Sequence, residues 1–144
     1  MTRPSKLTTA GWIALARAYG AVLTGVEQAL SQKGLPPLIW YDVLLELERA
    51  GDAGLRQNDL EKALLLKQYN VSRLVDRIEA KGHLTRRPHP EDGRARRLSI
   101  TPSGKDLLRT MWKVYGPELQ AAIGDKLTDA DSAALVNLLR KIRE

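Results

Sequence analysis

The stretch from residue 67 to residue 100 limits the choice of fold more than any other. It reads KQYNVSRLVDRIEAKGHLTRRPHPEDGRARRLSI. Val71, Leu74, Val75 and Ile78 recur at helical spacing and predict a helix with one apolar face. Gln68, Tyr69, Asn70, Ser72, Arg73 and Arg77 fall at or beyond the edge of that face. Gly82 stands where a helix would end in the left-handed conformation. Residues 84–86 and 97–100 then read as two short strands, with Pro88, Pro90 and Gly93 in the turn between them. A polar-faced helix followed by a basic hairpin suits duplex DNA. The helix fits the major groove, and the hairpin reaches the backbone or minor groove beside it.

The charge distribution agrees. Residues 67–97 hold nine basic and four acidic side chains, a net +5 out of +6 for the chain. The remainder is nearly balanced, at fourteen basic and thirteen acidic. An excess confined to one helix-plus-hairpin is the expected electrostatic footprint on phosphate.

Other classes of function find little support. The absence of cysteine excludes disulfides, thiolate metal sites and thiol redox sensing together. His83 and His89 are the only imidazoles, and no nearby ligands complete a zinc set, so no metal or cofactor is expected. No glycine-rich phosphate loop or nucleophile motif is present, which argues against an enzyme. There is neither a membrane-length apolar run nor a secretory pattern, and the expected location is cytoplasmic.

Around the basic unit the chain reads as helices. A first helix is expected over residues 10–32, capped by Thr8 or Thr9, with a stripe of Trp12, Ala16, Tyr19, Leu23, Val26 and Leu30. Gly34 and Pro36-Pro37 end it. A second helix is expected over 38–50. A short third, over 59–65, has Asn58 and Glu61 in capping-box spacing and Leu60, Ala63 and Leu64 inward. The third and fourth helices have helix-turn-helix spacing. After the hairpin, Thr101-Pro102 opens a long helix toward residue 126, and Gly116-Pro117 predicts a kink or break within it. A last helix starts at Thr128, with Asp131 completing a capping box and Leu135, Leu138, Leu139 and Ile142 along its seam. The expected fold is mainly α with a small β-hairpin: a winged helix-turn-helix over 38–104, flanked by apolar helices at 8–34 and 105–144. The flanking helices suit a shared dimer interface, which would let two recognition helices read two half-sites.

Two blocks carry a family resemblance. Residues 71–82, VSRLVDRIEAKG, and residues 90–101, PEDGRARRLSIT, followed by Gly104, resemble in register the recognition helix, wing and opening of helix five of the MarR (multiple antibiotic resistance regulator) family. The resemblance extends over almost the whole chain, 1–144, as one MarR-like unit. It implies a homodimer that binds a pseudo-palindromic operator, usually as a repressor, and releases it on binding a small phenolic or aromatic acid. By position, Arg94 matches the wing-tip arginine that enters the minor groove, and Asp92 the acid that steadies it.

The remaining roles follow from side-chain chemistry. Gln68 and Asn70 suit adenine, and Arg73 suits guanine or phosphate, with Ser72 beside them. Tyr69 has two open readings: stacking on sugar or thymine methyl, or packing against the third helix. Lys67, Arg77, Arg86, Arg96 and Arg97 are phosphate candidates.

For an effector, Trp12, Trp40, Tyr41, Asp42 and Arg86 are candidates to line a cleft for a planar organic anion. Trp40-Tyr41-Asp42-Val43-Leu44 is similar to the urate-responsive branch, whose ligand-binding Trp, Asp and Arg would correspond to Trp12, Asp42 and Arg86. The other reading makes the tryptophans core residues and Asp42 a surface charge or partner of an arginine. A different class of function is also open, a winged helix serving protein–protein interaction without specific DNA binding. It would favour an apolar patch on the fourth helix, where this sequence is polar.

Overall fold

The computed structural model describes residues 2–67, 70–88 and 96–144. Helix α1 spans Lys6–Gln32, and so begins earlier than expected. Neither Thr8 nor Thr9 caps it. Ser5 does, its Oγ accepting the Thr8 N–H at 3.0 Å, while the Thr9 hydroxyl donates to the Ser5 carbonyl at 3.2 Å. The helix closes at Gly34, with φ of 68°. There the Leu35 and Gly34 N–H groups return to the Leu30 and Ser31 carbonyls.

Helix α2 spans Leu38–Ala50, as expected. Its N-cap, Pro37, has no side-chain acceptor, and α1 supplies one: Glu27 Oε1 accepts the Leu38 N–H at 2.7 Å. Val43, Leu44 and Leu47 are fully buried. A 3-10 turn, Gly51–Ala53, and Gly54 lead to Leu55, which exchanges both backbone hydrogen bonds with Leu98 at 3.0 and 2.7 Å. That bridge keeps the chain extended through Arg56, so α3 occupies Gln57–Ala63 and not 59–65. Asn58 therefore lies inside the helix and is not its cap; Arg56 holds the N-cap position, and its side chain does not cap the helix. Leu60 and Leu64 are buried, whereas Ala63 is exposed.

Helix α4 covers Val71–Ala80, with Val71, Leu74, Val75 and Ile78 buried. Gly82, at φ 80°, ends it by sending its N–H to Glu79. Strands β1, Leu84–Pro88, and β2, Arg96–Ile100, pair antiparallel, with Leu84 opposite Ile100 and Pro88 opposite Arg96. Pro88 thus closes a strand and is not in the turn.

Thr101 joins the hairpin to α5, Pro102–Leu119. Its hydroxyl accepts the Gly104 N–H at 3.0 Å and donates to the Gly82 carbonyl at 2.6 Å. A side chain at Gly104 would run into the His83 carbonyl, so the α5 start can lie this close to the α4 exit only with glycine there. Pro117 lies inside a continuous α5, and no break forms at Gly116-Pro117. The irregularity comes later, as a π-turn over Gln120–Gly124. Helix α6, Asp129–Arg143, opens on the expected capping box: Thr128 and Asp131 exchange bonds of 3.1 Å.

Two apolar clusters hold these elements. One joins α2, α3, α4 and the hairpin through Leu44, Leu60, Val75, Ile78, Leu84 and Leu98. The other joins α1, the α2 start and α5 through Val26, Leu30, Leu38 and Met111. The mainly helical fold with a two-stranded hairpin is the one expected. Among the described residues no helix is long and apolar enough to cross a membrane.

Candidate nucleic-acid interface and ligand cleft

The four buried residues of α4 fix which side chains point away. Ser72, Arg73, Asp76 and Arg77 are exposed. Lys67 is exposed too, in the coil ahead of the helix and not within it. Gln68 and Tyr69 lie outside the described residues, as do Asp92 and Arg94 of the wing.

Asn70 has a structural role. It is the α4 N-cap, and its Oδ1 accepts the Arg73 N–H at 3.0 Å. Bidentate recognition of adenine uses that same oxygen, so the cap and the adenine-reading role compete for it. Asparagine is among the best caps because its short side chain returns to the second or third N–H.

Along the hairpin, Arg87 and Arg96 are exposed, while Arg97 is partly buried with its Nε shielded and unpaired among the described residues. Arg86 differs from all of these. Its Nη2 donates to Asp76 Oδ1 at 2.6 Å and its Nη1 to Glu79 Oε1 at 2.7 Å. The Asp76 hydrogen bond is the main cause of an upward shift in its pKa. The guanidinium is held against α4 by two carboxylates, so it is not a free cation of the kind expected for a phosphate or effector contact.

The effector candidates are engaged in separate contacts. Trp12 is 67% exposed on α1. Trp40 meets the His83 ring edge-on at 6.3 Å. Tyr41 stacks on Trp112 at 6.1 Å and meets Tyr115 edge-on at 5.1 Å. Asp42 is buried, and its Oδ2 accepts the Leu66 N–H at 2.9 Å. It is therefore not a surface charge. Burial raises its pKa, against the lowering effect of the backbone bonds from Leu66 and Leu65; the arginine that acts on it is Arg49, as a minor lowering influence.

A different cleft is present, of about 510 Å³. Tyr19 and Leu23 of α1, Ile39 and Trp40 of α2, Leu65 and Leu66 of the following turn and Leu74 of α4 supply its apolar and aromatic walls. Lys67 and Arg77 bring cations, and Glu27 already serves as the α2 cap. Of the expected effector residues only Trp40 lines it. Sequence periodicity cannot reveal this cleft, because its walls come from four separated segments.

A family model described as "MarR family" matches residues 33–95. Over 104 residues the chain is 33% identical to the transcriptional activatory protein BadR of Rhodopseudomonas palustris, covering 71% of this chain and 57% of that protein. Residues 33–95 match the MarR family, and the chain as a whole is similar to its members. The match to BadR spans less than two thirds of that protein's own length. The MarR fold is shared with solved structures. Sco3205 of Streptomyces coelicolor, a MarR family transcriptional regulator in complex with DNA, superposes at TM-score 0.89 with 22% identity, over 100% of this chain and 90% of that one. BpsR of Bordetella bronchiseptica, solved to explain how 6-hydroxynicotinic acid regulates its DNA binding, superposes at 0.82 with 26% identity over 99% of both chains.

Proposed function

We propose that this chain is a MarR-family, homodimeric, sequence-specific repressor that binds double-stranded DNA and is released by a small aromatic or organic anion. The observation that carries the reading is the exposed cationic surface of one supersecondary unit. Arg73 and Arg77 project from α4, and Arg87 and Arg96 from the strands that follow it. In this reading α4 enters the major groove with Ser72 and Arg73 foremost. Arg94 occupies the adjacent minor groove with Asp92 beside it. Lys67, Arg77, Arg96 and Arg97 neutralise phosphates. The α4 surface offers charge and no large apolar side chain, which favours nucleic acid over a protein partner.

The ends of the chain support a dimer. Trp12 on α1 and Leu138 and Ile142 on α6 are 67%, 58% and 70% exposed, on helices within 8–34 and 105–144. Apolar faces of this kind are costly in water and mark interfaces. A twofold pair would set two recognition helices on successive major-groove faces. The cleft supports the effector: aromatic walls with two cations suit a planar anion, the class to which BpsR's 6-hydroxynicotinic acid belongs.

Fluorescence anisotropy with the duplex upstream of this protein's own gene, against excess random DNA, tests the reading. Competitor-resistant binding that 6-hydroxynicotinic acid or another aromatic carboxylate reverses is expected. Equal, weak binding to any duplex would overturn specific recognition.

A further inference from the structure

Asp76 is an awkward residue on a helix that approaches DNA. The buried positions Val71, Leu74, Val75 and Ile78 leave it on the outward face of α4, with its side chain 60% exposed. Glu79, one turn on, is 37% exposed at the side chain. Two carboxylates on this element oppose the phosphate backbone unless something neutralises them.

Arg86 is placed to do so. It follows Leu84 on β1 with one residue between, so both side chains leave the same face of the strand. Leu84 is buried in the cluster under α4, and Arg86 continues that face to the edge of the helix. One fork then holds both carboxylates, Asp76 at 2.6 Å and Glu79 at 2.7 Å. The Arg86 side chain is 21% exposed, well below either partner. Its charge is spent inward while Arg87 beside it stays exposed.

We infer that Arg86 is a positioning residue for DNA binding, one that masks Asp76 and Glu79 from phosphate and clamps the first wing strand to α4 without touching DNA itself. This rests on the DNA-binding reading above. It assigns the two acids a role as well: they aim the wing, and their charge is tolerable only while Arg86 is present.

The test compares wild type, Arg86→Met, which keeps an apolar stem of similar length, and the triple variant Arg86→Met/Asp76→Asn/Glu79→Gln. All are measured by anisotropy on the duplex that wild type binds. Arg86→Met should weaken binding by roughly tenfold or more, because like charges facing across an interface are strongly unfavourable. The triple variant should recover most of that loss. A triple variant that folds but binds as weakly as Arg86→Met would overturn the inference, since the loss would then not come from the unmasked acids. Unchanged binding by Arg86→Met would overturn it as well. A second measurement needs no DNA: a urea-stability double-mutant cycle between Arg86 and Asp76 should show favourable coupling, and additive effects would overturn the clamp. Wild type that binds no duplex would defeat the DNA reading and the masking role with it, while coupling in the cycle would still establish the clamp.

Discussion

The Asp42 carboxylate accepts the Leu66 N–H at 2.9 Å, and so ties α2 to the turn that precedes the recognition helix. The bond spans two parts of the proposed machinery, because Leu66 also lines the cleft proposed for an effector. Asp42→Ala leaves that N–H without its acceptor and should cost about 1–3 kcal/mol. Asp42→Asn keeps an acceptor and should cost less. Urea unfolding of both variants checks the order, and equal losses would show that the charge itself, not the acceptor, is needed.

Burial gives the same residue a pH signature. The native carboxyl holds its proton above the ordinary 3.8. Its favourable contribution is therefore fully present below that value and is lost as pH rises through the raised native pKa. The stability of Asp42→Asn relative to wild type should accordingly increase with pH across the acid range and level off toward neutrality. Denaturant midpoints measured from pH 3 upward would show this. A wild type that gains on the variant over that range would contradict it.

Tyr41 and Tyr115 pack edge-on at 5.1 Å, and burial raises both phenol pKa values above 10.0. The unfolded chain ionises first, so stability should fall as pH rises above that ordinary value. Ultraviolet titration of the native protein should show late-ionising phenols that Tyr41→Phe and Tyr115→Phe each diminish. Titration of every tyrosine at the ordinary value would contradict the packing.

Asn70 as a cap and Asn70 as a base reader differ in one substitution. Serine can cap α4 but cannot present an amide to adenine. Asn70→Ala should lose about 1 kcal/mol of stability, and Asn70→Ser should stay near wild type in both melting temperature and DNA affinity. Loss of affinity in a fully stable Asn70→Ser would favour the base-reading role.

If α1 and α6 form the dimer, charges on the α6 seam should separate it. Leu138→Glu/Ile142→Glu removes two apolar side chains, each worth roughly 1.5–3 kcal/mol when buried, and adds repulsion across the twofold axis. Sedimentation should show a dimer for wild type and a monomer for the variant. A monomeric wild type would contradict the assignment.

Features set by neighbours in sequence were legible in advance. The Pro37–Gly51 frame gave α2, the apolar spacing gave the inner face of α4, Gly82 gave its end, and Thr128 with Asp131 gave the α6 cap. Where tertiary contacts override local signals, the structure departs from the local pattern. Leu55 pairs with Leu98, 43 residues on, and α3 begins soon after that bridge, at Gln57, ahead of the cap signal from Asn58. At the start of α1, three hydroxyl residues competed for the cap, and Ser5 took it. Arg86 looked like a free cation because its partners lie on another element. Even so, Asp76 and Glu79 stand three apart on α4, the spacing of helix neighbours, and that spacing was a signal for a shared partner.

The central claim is that the basic helix and wing meet DNA, and the salt dependence of duplex affinity tests it most directly, with Arg94→Ala beside wild type. Log affinity should fall linearly with log salt, by about 0.9 per phosphate neutralised, and steeply because several are neutralised per subunit. Arg94→Ala should weaken binding by on the order of 1–3 kcal/mol while remaining folded. A flat salt response, with folded Arg94→Ala binding as well as wild type, would contradict the claim.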